Sequence, residues 1–172
     1  NAFFALDFST GFADSGDGFT NSSGSTSTPA PNITYNTTTL LEAVANDGSI
    51  ATEPIITLNN PSGGSFEGSN NTAIPGVTFV NIPAGLSASA IRSSDTTAKL
   101  VLSGKANSPT YSDSINNFTI QFSNDSFTGT LEAANVTGSS RADLAITFSD
   151  APSLTDASDT LAYTEGDGAT VI

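Results

Sequence analysis

Between Ile115 and Asp150 two segments alternate apolar and polar residues with a period of two. Phe118, Ile120 and Phe122 point one way and Asn117, Thr119 and Gln121 the other; further on, Leu144, Ile146 and Phe148 oppose Ala145 and Thr147. Successive side chains of an extended chain project to opposite faces, so the pattern predicts two strands, each with one buried and one wet face. Such a pair needs a second sheet over its apolar side. Upstream segments supply candidates: strands at 33–35, 55–58 and 77–82, and a short strand or helical turn at 40–44. Residues 86–92 and 97–103 read as a hairpin turned at 93–96, with Ala98, Leu100 and Leu102 on its inner face. Asn46-Asp47-Gly48 and the run from Asn59 to Gly64 carry turn chemistry. Residues 125–137, with Phe127 and Leu131, are expected as an irregular strand. Eight to ten strands and no amphipathic helix of useful length predict an all-β sandwich.

The two ends of the chain break this pattern. Residues 1–12, NAFFALDFSTGF, place Phe4, Leu6 and Phe8 on one face and Phe3 and Ala5 on the other, interrupted by Asp7. A strand apolar on both faces is expected to be covered on both sides, in its own sheet or a neighbour's. Each of Phe4, Leu6 and Phe8 would contribute roughly 1.5–3 kcal/mol if fully buried. Residues 14–31 crowd Gly, Ser, Thr and Pro and read as a linker. After Asp150 an acidic stretch leads to a possible strand with Leu161 and Tyr163. Glu165-Gly166-Asp167-Gly168 and a closing apolar segment with Val171 follow. The expected organisation is thus an N-terminal strand and linker (1–31), a sandwich domain (32–150) and an acidic extension with a terminal strand (151–172).

Composition narrows the chemistry. With no His and no Cys, Ser-His-Asp and Cys-His machinery is excluded, as are imidazole and thiolate metal sites and disulfides. Glycoside hydrolysis needs only two carboxyl groups, but with no Trp and three Tyr the sugar-stacking surfaces are scarce, so no enzyme is expected. Seventeen acidic residues face only Arg92, Lys99, Lys105 and Arg141, a net charge of −13. That balance repels phosphate backbones and anionic membranes, and no apolar run reaches the roughly 20 residues of a membrane-spanning helix. Calcium is the one cofactor the residues suggest. Asp14 and Asp17, and Glu165 and Asp167, place hard oxygen ligands beside flexible glycines, without the full EF-hand spacing. Seven Asn-x-Ser/Thr sequons, at Asn21, Asn32, Asn36, Asn70, Asn117, Asn124 and Asn135, are the pattern for glycan attachment in a chain rich in Ser and Thr. Lys99 and Lys105 fall at positions expected to be exposed, which argues against an isopeptide staple. A chain opening at Asn1, without Met or the basic and apolar regions of a signal peptide, is what a secreted protein looks like after processing. Excision from a longer protein would look identical.

Four stretches carry a resemblance: LLEAVANDGSI from Leu40, NIPAGLSA from Asn81, AKLVLSGKA from Ala98 and VTGSSRADLAITFSD from Val136. Over residues 32–150 the chain resembles a repeat of very large bacterial surface proteins, the cadherin-like and immunoglobulin-like tandem adhesins. The resemblance implies an immunoglobulin-like or cadherin-like β-sandwich that is secreted, tolerates calcium, and builds length or adhesion. It also implies that Asp150, Asp156 and Asp159 lie where ions sit between consecutive domains. LAYTEGDGATVI is similar to the stretch that opens a following repeat, and residues 1–12 have no place in the repeat. Two functions compete. In one, copies polymerise into an extracellular filament or surface layer by strand addition, with Phe3, Phe4, Leu6 and Phe8, or Leu161, Tyr163 and Val171, as the donated side chains. In the other, the chain is an adhesive or spacer module of a larger calcium-stabilised protein that binds a cell surface or glycan.

Overall fold

The computed structural model describes residues 28–150. Eight strands form two four-stranded sheets. In chain order they are β1 (Asn32–Tyr35), β2 (Thr39–Leu41), β3 (Ile55–Asn59), β4 (Val77–Val80), β5 (Leu86–Arg92), β6 (Thr97–Gly104), β7 (Ile115–Phe122) and β8 (Ser140–Thr147). One sheet has the order β1-β3-β6-β5 and the other β2-β8-β7-β4. All pairings are antiparallel except β2 with β8, which is parallel. The apolar faces meet in one core. Ile33, Ile56, Leu58, Leu100 and Leu102 come from the first sheet, and Leu40, Phe118, Ile120, Leu144 and Ile146 from the second. The predicted hairpin is β5–β6, and the period-two segments that opened the sequence are β7 and β8.

Of the two readings of residues 40–44 the short strand is the one present: β2 spans Thr39–Leu41 and lies along β8. Two expectations are corrected. Residues 125–137 form no irregular strand. They hold 3₁₀ turns near Asn124–Ser126 and at Ala133–Asn135, and Phe127 makes a single bridge to Phe66. The turns persist because Asn124 Oδ1 accepts the Ala133 N–H at 2.8 Å, while Phe127 and Val136 are buried without needing a ladder. Thr119 is buried, although strict alternation would leave it wet. The β7–β8 register shifts between Ile115 and Phe118 and again between Phe118 and Ile120, and at this irregular stretch Thr119 is covered although its neighbours Phe118 and Ile120 are the residues that enter the core.

The chain enters and leaves at opposite ends of the sandwich. Pro31 and Ile33 bond to Thr137, at the end where β8 begins. Phe148 to Asp150 follow the far end of β8, beside Tyr111 and Glu42. β8 is eight residues long, so the two exits lie about 25 Å apart along the strand direction.

Candidate assembly surface

A strand at the rim of a sheet exposes backbone donors and acceptors unless something covers them. Two sheets give four such rims, at β1, β2, β5 and β4, and they are treated differently. Along β1, the Ile33 N–H bonds to the Thr137 carbonyl at 2.8 Å and the Thr137 N–H to Pro31 at 3.0 Å. Along β2, Ala51 donates to the Leu41 carbonyl at 3.0 Å and the Thr52 hydroxyl accepts the Leu41 N–H at 3.1 Å. Along β5, residues 71–74 return to pair with the last turn of the strand. Ile74 donates to Ala90 at 2.9 Å, Arg92 to Thr72 at 2.9 Å and Asn71 to Arg92 at 2.7 Å.

β4 is the exception. The Ser123 N–H bonds to the Gly76 carbonyl at 3.1 Å, which sets the phase of the β4–β7 ladder. Thr78 and Val80 therefore face β7 with their backbone groups, and the N–H and C=O of Val77 and Phe79 project away from it. No backbone hydrogen bond from a described residue reaches these groups. The side chains follow the same alternation. Val77 and Phe79 pack half-buried against the core, the Phe79 ring stacked on Phe118 at 6.1 Å, while Thr78 is exposed and Val80 is 47% exposed. Across the gap between the sheets lies the uncovered first part of β5, whose Ala88 is half-buried and packs on the same core. Beyond the end of β4 the open edge runs into a cleft of about 430 Å3, lined by Ile82, Pro83, Ala106, Ile115 and Phe148, with Asp113 among its polar groups.

The carboxylates near this end serve the fold. Asp150 Oδ1 accepts the Tyr111 N–H at 2.8 Å. Glu42 accepts Gly48 N–H at 2.7 Å and Ser149 N–H at 2.9 Å, one oxygen to each. Asp47 pairs with Lys105 at 2.6 Å and accepts from Ser49, which holds its carboxyl well below the usual range. Among the described residues no group of three acidic side chains is placed to hold a metal ion. Lys99 and Lys105 are exposed, Lys99 lying 3.1 Å from Glu53. Among the sequons, Asn36, Asn70, Asn117, Asn124 and Asn135 are exposed, and the Asn36 side chain accepts the Ile55 N–H at 2.7 Å.

Of the residues singled out from sequence, only Asp150 among the calcium candidates is described. Asp14, Asp17, Asp156, Asp159, Glu165 and Asp167 lie outside the described residues, as do Phe3, Phe4, Leu6, Phe8, Leu161, Tyr163 and Val171. The residues sequence reasoning missed are Val77, Phe79 and Ala88. The alternation of VTFV marks a strand, but nothing local marks which strand ends up at a rim. No helix among the described residues is long and apolar enough to cross a membrane. Comparison with protein-family models, with curated proteins and with solved structures gave no match.

Proposed function

We propose that this chain is a secreted structural subunit whose copies join into an extracellular filament or surface layer by adding a strand of one copy to a sheet of the next. The observation that carries it is the β4 rim, where outward-facing backbone groups adjoin an incompletely covered core. Strand addition satisfies such groups and buries alternate side chains in one step. Exits at opposite ends favour a head-to-tail contact, which propagates as an open filament unless rotation closes a ring. The sheet order supports reading the sandwich as immunoglobulin-like. If β1 and β2 are two halves of a first strand, the orders match the ABED and GFC sheets of that fold. The acidic surface, net −13, keeps such a subunit soluble before assembly.

The test uses the full chain and a variant lacking residues 1–12, compared by sedimentation and negative-stain microscopy. The full chain is expected to form elongated particles and the deletion to remain monomeric. Assembly that survives the deletion overturns donation from the N-terminal strand.

The exits at opposite ends also favour a second arrangement, a spacer or adhesive module within a larger calcium-stabilised surface protein that touches a cell surface or glycan. In that case Asp150, at the exit, shares an ion with the segment that follows. Saturating chelator should then lower the melting temperature by several degrees, and an unchanged value rules the ion out.

A further inference from the structure

Resting on the assembly reading, we infer which edge receives the strand and in which direction: residues 1–12 of a second copy lie along β4, parallel to it, and reach it across the cleft at Ile82, Ile115 and Phe148. Described residues bond β1, β2 and the last part of β5, while β4 receives no such bond along its whole outer side and faces the uncovered first part of β5. The span fits. From Phe4 to Phe8 is four strand steps, about 13 Å, as is Val77 to Asn81 along the acceptor. With Phe4, Leu6 and Phe8 turned inward, their rings and isobutyl group cover Val77, Phe79 and the small Ala88 across the gap, and Ala5 and Asp7 join Thr78 and Val80 on the wet face.

The direction follows from where the chain begins its fold. β4 runs from the end at which residue 31 sits toward the end at which Phe148 sits, because it is antiparallel to β7 and β7 is antiparallel to β8. In a head-to-tail stack the neighbour's residue 31 meets this copy's Phe148 end, so its leading segment passes the cleft first and runs back along β4. Its residues 1–12 then ascend in the same sense as β4. Phe12 keeps the parity of Phe4 and Phe8 and falls beyond the end of β4, at the cleft. A segment folding back onto its own β4 would run antiparallel and bring Ala2 instead of Phe12 to the cleft, which favours the second copy. Residues 13–31 reach up to about 60 Å extended, so neither route is forbidden by length.

The chain contains no cysteine, so introduced thiols report a contact without background. Full-length Asp7→Cys is mixed with full-length Val80→Cys (and, for a shift of one pair, Thr78→Cys), and the mixture is oxidised. Thr78 and Val80 are exposed, and retained strand content by circular dichroism confirms that all three variants fold. A disulfide-linked heterodimer in the mixture, absent when the β4 thiol is moved to Ser103 on another strand, is expected. A chain carrying both Asp7→Cys and Val80→Cys that closes an internal bridge at high dilution overturns the second-copy occupant. If deletion of residues 1–12 abolishes assembly but no β4 thiol crosslinks, the strand goes elsewhere: this inference fails while the assembly reading stands. If assembly survives the deletion, both fail.

Discussion

The two lateral sides of the sandwich solve the same problem differently. On the side of β1 and β2, residues 31–33 and 137 close one rim, residues 49–52 close the other, and Arg141 stacks over the Tyr35 ring at 5.1 Å to bridge the sheets. The cover is tight enough that burial pushes the Tyr35 hydroxyl well above its ordinary pKa, Arg141 only partly opposing this. On the side of β4 and β5, residues 71–74 cover the last part of β5 and stop there. The remaining edge has the same alternation and the same kind of core side chains behind it, without the covering segment. A sandwich that caps two rims and part of a third with its own segments has the means to cap β4, and the contrast locates the place where something else belongs.

The contrast is calibrated by a residue common to both sides. Phe118 is fully buried in the shared core, so Phe118→Ala should lower the unfolding free energy by about 3–5 kcal/mol, equally in dilute and assembled protein, by urea titration. On the sealed side, Gly138 has φ 80° and a Cβ there would sit 2.7 Å from the Ile33 carbonyl oxygen. Gly138→Ala should cost about 2 kcal/mol and speed exchange of the Ile33 amide, since strained backbone of this kind costs 1–3 kcal/mol. On the open side, Phe79 is only half-buried. Phe79→Ala should cost about 1–2 kcal/mol in dilute protein and more in assembled protein. An equal cost in both states would erase the difference between the sides.

Acid acts more gently. The Arg141 guanidinium bonded to Asp143, and Lys105 with Ser49 at Asp47, hold both carboxyls below their ordinary 3.8. A lowered folded pKa gives stability that is present above the unfolded value and lost as pH falls through the folded one. Melting temperature should therefore fall below about pH 4, and Asp47→Asn should flatten part of that fall. The smallest effect is expected at Lys99 and Glu53, both exposed on the outer face. Lys99→Ala should change stability by about 0–1 kcal/mol in either state.

Much of this was legible in the residues. Alternation is a local property, and it found β7, β8 and the β5–β6 hairpin. The Asn46-Asp47-Gly48 turn was equally readable, because Asn46 (φ 48°) and Gly48 (φ 81°) adopt the left-handed backbone those residue types tolerate. What escaped were relations between distant segments. Thr119 is covered where β7 meets β8 in a shifted register, and Phe127 is buried beside 3₁₀ turns that carry no period. The candidate surface escaped for the same reason. VTFV at β4 and IITLN at β3 look alike as strings, yet β3 is paired on both sides and β4 on one. Pairing partners lie dozens of residues away, and no window along the chain contains them.

The most direct measurement is amide hydrogen exchange at Val77 and Phe79 in the full chain, followed from dilute monomer to assembled material, with Ile33 as the internal reference. Fast exchange of Val77 and Phe79 in the monomer and protection on assembly is expected, with Ile33 slow throughout. Amides at Val77 and Phe79 that are already slow in the monomer, or that stay fast in the assembly, would contradict an edge open in one copy and closed by the next.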